Sequence, residues 1–205
     1  MIRNLIFDFG QVLIRFEPDE MIRPYVSDQS DRALLADVVF DRAYWDRLDN
    51  DSITDEELLK SAKERLPRRL QAVAETVYRN WYRHLPPVPG MWELARRMKE
   101  TYGVRVFVLS NISRGFAAHA GEFPILREAD GCLFSALCGF VKPDAGIFGC
   151  LCDTYGLDPA ECLFIDDNPR NVAGSEAFGI RAYRFDGNVP ALEAYLQKAL
   201  TCPDT

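Results

Sequence analysis

The sequence predicts an α/β protein: a parallel sheet wound on both faces by helices, interrupted after its first strand by an all-helical insertion. Three observations predict it. From residue 91 onward, short apolar runs alternate with helical stretches, the pattern of parallel strands joined by crossover helices. Residues 17–84 carry helical periodicity and almost no strand-like run. Finally, three apolar runs end abruptly in polar side chains, at Asp8, at Ser110-Asn111 and at Asp166-Asp167, as strands do when they deliver groups to a ligand.

The first run, Asn4-Leu5-Ile6-Phe7, is apolar enough for a central strand covered on both faces, and it hands over directly to Asp8. Gly10 is expected to supply the sharp turn past that acid. In the insertion, Ser30 or Asp31 is expected to cap a helix bearing Leu34, Leu35 and Val38. Thr54-Asp55-Glu56-Glu57 reads as a capping box opening a helix with Leu58, Leu59, Ala62 and Leu66, closed by Pro67. A further helix places Leu70, Val73, Ala74, Val77 and Trp81 on one face. Phe40, Tyr44, Trp45, Trp81 and Tyr82 could form a stacking platform, but core packing is the expected role for most. Pro86-Pro87-Val88-Pro89-Gly90 ends the insertion, because proline blocks helix continuation. The division expected is therefore 1–16 with 87–205 as the sheet domain and 17–86 as the helical one.

In the second part, helices are expected at 91–102, 143–155, 172–178 and 190–200, and strands at 104–109, 131–135, 162–165 and 180–184. Only 201–205 reads as a frayed end.

The totals agree with one well-filled globular unit: 205 residues, 48% hydrophobic, and a formal net charge of −7 without a basic run. That balance argues against nucleic acid or an anionic membrane surface as partner and favours a small solute. No stretch approaches the roughly eighteen apolar residues of a membrane span, and Met1-Ile2-Arg3 leads straight into a strand, so a cytoplasmic protein is expected. The six cysteines form no C-x-x-C pair and read as reduced core thiols; His84 and His119 have no partner histidine for a zinc site. No feature of the sequence fixes an oligomeric state.

Carboxylates on neighbouring strand ends repel unless a cation lies between them, and hard divalent ions such as Mg²⁺ take oxygen ligands shared with a phosphate. Asp8 and Asp167 are therefore candidate metal ligands. The Ser110 hydroxyl, the Asn111 amide and the Lys142 ammonium are candidate donors to phosphate oxygens, and Asp8 is the candidate nucleophile.

Phe7-Asp8-Phe9-Gly10-Gln11-Val12-Leu13, Val108-Leu109-Ser110-Asn111, Gly139-Phe140-Val141-Lys142-Pro143 and Leu163-Phe164-Ile165-Asp166-Asp167-Asn168 resemble, in order and spacing, the four motifs of the haloacid dehalogenase (HAD)-like hydrolase superfamily. The resemblance covers nearly the whole chain and extends to subfamily IA, with the insertion in the place of the C1 cap. The C-terminal half is similar to the bacterial α-D-glucose-1-phosphate phosphatase type and to the phosphatase domain of soluble epoxide hydrolase. It implies a Rossmann-like core with a cap domain and a Mg²⁺-dependent phosphatase acting on a small phosphorylated metabolite. In that reading Asp8 forms an aspartyl-phosphate, Asp8, the Gly10 carbonyl and Asp167 hold Mg²⁺, and Asn171 supports them. Asp166 either ligates directly or only orients its neighbours.

One position departs from the pattern. Most phosphatases of the superfamily carry a general-acid aspartate two residues after the nucleophile, where this chain has Gly10. Proton transfer of that kind is worth about a hundred- to ten-thousand-fold, so turnover is expected to be slow or biased to acidic leaving groups such as an anomeric oxygen. Glu17 or Asp19, just past the turn, could substitute. Two other readings are a metal-independent 2-haloacid dehalogenase, which also lacks the second aspartate, and a phosphate-binding pseudoenzyme.

Overall fold

The computed structural model describes residues 1–201. The expected fraying at 201–205 lies outside them, except for Thr201, and so does Cys202. The expected sheet is present: β1 (Asn4–Phe7), β2 (Arg105–Ser110), β3 (Gly131–Phe134), β4 (Cys162–Asp166) and β5 (Arg181–Arg184), in the order β3-β2-β1-β4-β5 with every pairing parallel. The chain winds from β1 outward through β2 to β3, then returns to the other side of β1, so β1 is central. Its residues alternate between two cores. Leu5 and Phe7 join Val106, Val108, Leu163 and Ile165 on one face, while Ile6 joins Phe107, Leu109 and Phe164 on the other. A strand with both faces covered must be apolar throughout, and this is why the first run lacks the polar alternation of a half-exposed strand.

The insertion is helical throughout: α1 (Pro18–Ile22), α2 (Gln29–Val39), α3 (Arg42–Asp49), α4 (Asp55–Arg65) and α5 (Arg68–Asn80), then one tight turn at Trp81–His84. Its apolar faces join the core on the Leu5 and Phe7 side of the sheet. The capping box is complete: Thr54 Oγ1 accepts from the Glu57 amide at 3.2 Å, and Glu57 accepts from the Thr54 amide at 2.8 Å. The cap of α2 is neither Ser30 nor Asp31. Asp28 holds it and accepts from the Asp31 amide, because the helix starts a turn earlier than its first apolar residue suggests. Trp81 falls after α5, in the tight turn. Phe40, Trp45, Trp81 and Tyr82 are buried as expected, with Trp45 and Trp81 rings 5.0 Å apart. Where the insertion leaves and rejoins the sheet, the two crossings pair: Arg15 donates to the Pro86 carbonyl and Val88 to that of Leu13.

The remaining helices are α6 (Met91–Tyr102), α7 (Arg114–Ala117), α8 (Pro124–Glu128), α9 (Ser135–Cys138), α10 (Ala145–Tyr155), α11 (Pro169–Phe178) and α12 (Val189–Thr201). Helices α6 and α12 cover the Leu5 face, and α10 covers the Ile6 face. Two starts differ from expectation by more than one residue. Helix α11 begins at Pro169, not residue 172, because Asn168 caps it by accepting from the Arg170 amide. Helix α10 begins at Ala145, not residue 143, because the Asn111 side chain grips both the amide and the carbonyl of Lys142 and holds that segment as a turn. The turn after Asp8 also differs: Gly10 does not have positive φ, and Gln11 takes the left-handed conformation with φ 58°. The five described cysteines are free thiols. No helix among the described residues is long and apolar enough to cross a membrane.

Candidate active site

Parallel register builds the site. Phe7 pairs with Ile165, so one residue further Asp8 stands abreast of Asp166, and the Asp8 amide donates to the Ile165 carbonyl at 2.9 Å. On the other side Phe7 pairs with Val108, which brings Ser110 to the same edge. The loop before α10 then sends Lys142 in between the acids. Its Nζ lies 2.8 Å from Asp8 Oδ1 and 2.7 Å from Asp166 Oδ2, and its side chain is 1% exposed. A lysine buried this deeply is kept charged by its two carboxylates: burial lowers its pKa, but the attraction of Asp8 and Asp166 outweighs this and the net shift is upward.

The Asp8 carboxyl is pushed up to about 7 by burial, against the pull of Lys142 and with the repulsion of Asp166. Its Oδ1 also accepts from the Phe9 amide at 2.6 Å. Asp166 is saturated. Besides Lys142 it accepts from the Asn168 amide at 2.8 Å and from Asn171 Nδ2 at 3.1 and 3.0 Å, one bond to each oxygen. Asp167 is half-buried, and its carboxyl is also raised, first by burial and then by Asp166. Asp8, Asp166 and Asp167 each offer an oxygen within 4.8 Å of the others. With Asp166 already engaged, the Asp8 and Asp167 oxygens are the hard donors open to a divalent cation, which would relieve the repulsion that adds to burial in raising both.

A cavity of about 630 Å³ opens over this edge, lined by Asp8, Gly10, Ser110, Asn111, Lys142, Asp167 and Asn171 on the sheet side. The other wall comes from the insertion and the segment leading to it: Phe16, Arg42, Trp45, Asp46, Asp49, Asn50 and Trp81. The expected site residues thus lie together, with one reassignment. The Asn111 amide does not face the cavity as a donor, because Nδ2 donates to the Lys142 carbonyl at 3.0 Å and Oδ1 accepts from its amide at 2.7 Å. Asn111 positions Lys142. Ser110 is buried, and its hydroxyl makes only a 3.5 Å contact with the Asn111 carbonyl among the described residues, which leaves it available to a ligand.

Glu17 and Asp19 do not line the cavity. Glu17 pairs with Arg15, and Asp19 with Arg23 and Arg32 at the surface. The insertion's own polar wall was not legible in advance. Its one signal is electrostatic: Asp46 and Asp49 stand in the last turn of α3, where the helix dipole disfavours an acid.

The strand ends of this parallel sheet thus bring three carboxylates and a buried ammonium to one cavity, with Asp8 at the centre. Residues 2–179 match the haloacid dehalogenase-like hydrolases, and the chain belongs to that family. Over 115 residues it is 30% identical to (S)-2-haloacid dehalogenase 4A of Burkholderia cepacia, a match covering 55% of this chain and about half, 49%, of that relative. It is 23% identical to the D-ribitol-5-phosphate phosphatase of Bacteroides thetaiotaomicron over 90% of this chain and 92% of the relative. A HAD-family enzyme from the same bacterium, crystallised with magnesium and inorganic phosphate, superposes with a TM-score of 0.67 at 20% identity, covering 94% of this chain and 99% of its own.

Proposed function

We propose that the protein is a divalent-metal-dependent phosphomonoesterase, with Mg²⁺ as the metal and a small phosphorylated metabolite, such as a hexose 1-phosphate, as substrate. The observation that carries the reading is the convergence of Asp8 and Asp167 beside Lys142: acids whose oxygens come within 4.8 Å repel when ionised unless a cation lies between them, whereas a haloacid anion would gain nothing from a second acid. The phosphatase relative, matched over nearly its whole length, supports it. The resemblance to subfamily IA and the glucose-1-phosphate phosphatase type belongs to the same proposal.

Asp8, Asp167 and the Gly10 carbonyl would hold the metal, which supplies charge neutralisation for the phosphate oxygens. Asp8 Oδ2, which makes no hydrogen bond among the described residues, is the attacking oxygen, while Oδ1 stays on Phe9 and Lys142. Lys142 and the Ser110 hydroxyl hold the phosphoryl oxygens as charge grows on them. Asp166, its oxygens already engaged, orients Lys142 and Asn171 rather than ligating. Residues 17–86 act as a cap over a core made of 1–16 and 87–205, selecting the organic part of the substrate and excluding water.

The test is hydrolysis of p-nitrophenyl phosphate. We expect activity with added Mg²⁺, none with chelator, and loss to background in Asp8→Asn, on the order of 10⁴-fold or more, without loss of fold. Activity that survives chelator overturns the metal dependence, and chloride released from 2-chloropropionate selects the dehalogenase reading suggested by Gly10 and the Burkholderia relative.

A further inference from the structure

Asp49 lines the cavity from the helical wall and takes part in none of the contacts described above. The residue is 6% exposed, and its Oδ1 is the single buried side-chain oxygen or nitrogen without a hydrogen-bond partner among the described residues. It is fixed in place through its main chain: Ser135 Oγ donates to the Asp49 carbonyl and accepts from the Ile112 amide at 2.9 Å, which ties the end of α3 to the segment that follows Ser110 and carries Asn111. An unsatisfied buried carboxyl is costly to folding and calls for another explanation.

The chemistry needs such a group. Gly10 has no side chain to protonate a leaving oxygen. Among the cavity's other acids, Asp8 and Asp167 face the metal site, and Asp46 is exposed and paired with Arg42. We propose that Asp49 is the general acid and base of the reaction, supplying from the helical wall the proton transfer that Gly10 cannot. The proposal rests on the phosphomonoesterase reading above.

In the first half-reaction an Asp8 oxygen bonds to phosphorus as the bond to the ester oxygen breaks, and the Asp49 carboxylic acid gives that oxygen its proton. An alcohol and the Asp49 carboxylate result. In the second, the carboxylate takes a proton from water as the water oxygen bonds to phosphorus and the bond to Asp8 breaks. Phosphate leaves, and both aspartates regain their starting forms.

The surroundings poise Asp49 for both roles. Burial pushes its carboxyl up to about 7, against attraction from Arg42 and with repulsion from Asp46 on the same helix, while Lys142 across the cavity draws it down. On α5, Tyr78 donates its hydroxyl to Asp55, and that phenol is raised first by burial, then by Asp55, with the Asp49 charge adding least. Near neutrality both protonation states of Asp49 are populated.

The test compares p-nitrophenyl phosphate with phenyl phosphate, two esters of similar size whose leaving groups differ in acidity. In Asp49→Asn, first-turnover phenol release from phenyl phosphate should fall about a hundred-fold or more, while p-nitrophenol release falls less than about tenfold. Labelled phosphate should accumulate on the protein, trapped by acid quench, because water attack has lost its base. Asp49→Ser repeats the comparison independently of how the amide packs. A Cβ at Gly10 meets nothing within 4 Å, so Gly10→Asp introduced into Asp49→Asn should recover phenyl phosphate turnover by about tenfold or more. Equal losses on the two esters, or no loss on either, overturn the assignment. If the unaltered protein cleaves neither ester, the phosphomonoesterase reading fails and takes this one with it; if it cleaves both and Asp8→Asn cleaves neither, the split between the esters judges Asp49 alone.

Discussion

The two walls of the cavity each bury a carboxylate, and the two are treated in opposite ways. Asp166, at the end of β4, is fully buried and engaged by Lys142, the Asn168 amide and Asn171. Asp49, at the end of α3, is nearly as buried and has an oxygen with no partner. A strand end in a parallel sheet is surrounded by other strand ends and by the loops that follow them, so partners arrive by register. A helix end docked against that edge meets only what its own loop and the facing wall happen to present, and its last carbonyls make it a poor place for an acid. A saturated acid serves to hold other groups still, while an unsaturated one remains free to exchange a proton.

The largest effect that would test this contrast is on the saturated wall. Lys142→Met leaves Asp8 and Asp166 facing each other without their shared cation. We expect a loss of about 3–5 kcal/mol in urea unfolding, since breaking a buried pair strands a charge. A loss below about 1 kcal/mol would mean the two walls are not different in kind.

The opposite sign is expected on the other wall. Because burial raises Asp49 above the ordinary carboxyl range, the folded state binds its proton more tightly than the unfolded chain does, and stability falls as pH rises from about 4 to about 7. Asp49→Asn removes that loss. Its gain over the unaltered protein should be negligible below about pH 4, grow through the interval and level off above about pH 7 at no more than ~4 kcal/mol. Thermal unfolding across pH reads this directly, and a gain that is flat with pH would place the Asp49 carboxylate in a solvated environment.

The smallest effect separates the cavity from its rim. Arg114 pairs with Asp51 at 2.6 Å across the junction of insertion and sheet, but both side chains are largely exposed. Arg114→Ala should cost less than about 1 kcal/mol in urea unfolding, and less still at high salt. A larger cost would show that docking of the insertion depends on the rim rather than on its apolar face.

Much of the sheet edge was legible because each of its acids follows directly on its strand. An apolar run ending in Asp8 or in Asp166-Asp167 states both the strand and what it delivers, and parallel pairing then requires neighbouring strand ends to meet. The capping box at Thr54 was legible for a similar reason, since its partners are three residues apart. The misplaced starts of α2 and α11 were set by local caps at Asp28 and Asn168, but a third was decided from elsewhere. Helix α10 starts late because Asn111, 31 residues away, binds the main chain of Lys142. Asn111 was expected to face phosphate because its position on the strand end was visible, while its occupation by Lys142 was not.

Sequence by itself therefore determined the central strand, the alternation of parallel strands with helices and the acids that end those strands, all consequences of hydrophobic period and chain direction. The tertiary structure alone decided which of those groups are already engaged and what stands opposite them. It gave the left-handed turn to Gln11 rather than Gly10, turned Asn111 into a brace for Lys142, and set Asp49 over the cavity by a hydrogen bond to Ser135, 86 residues further along. The physical reason is range: strand and helix follow from neighbours a few residues apart, whereas the satisfaction or isolation of a buried polar atom is settled only when distant segments pack against it.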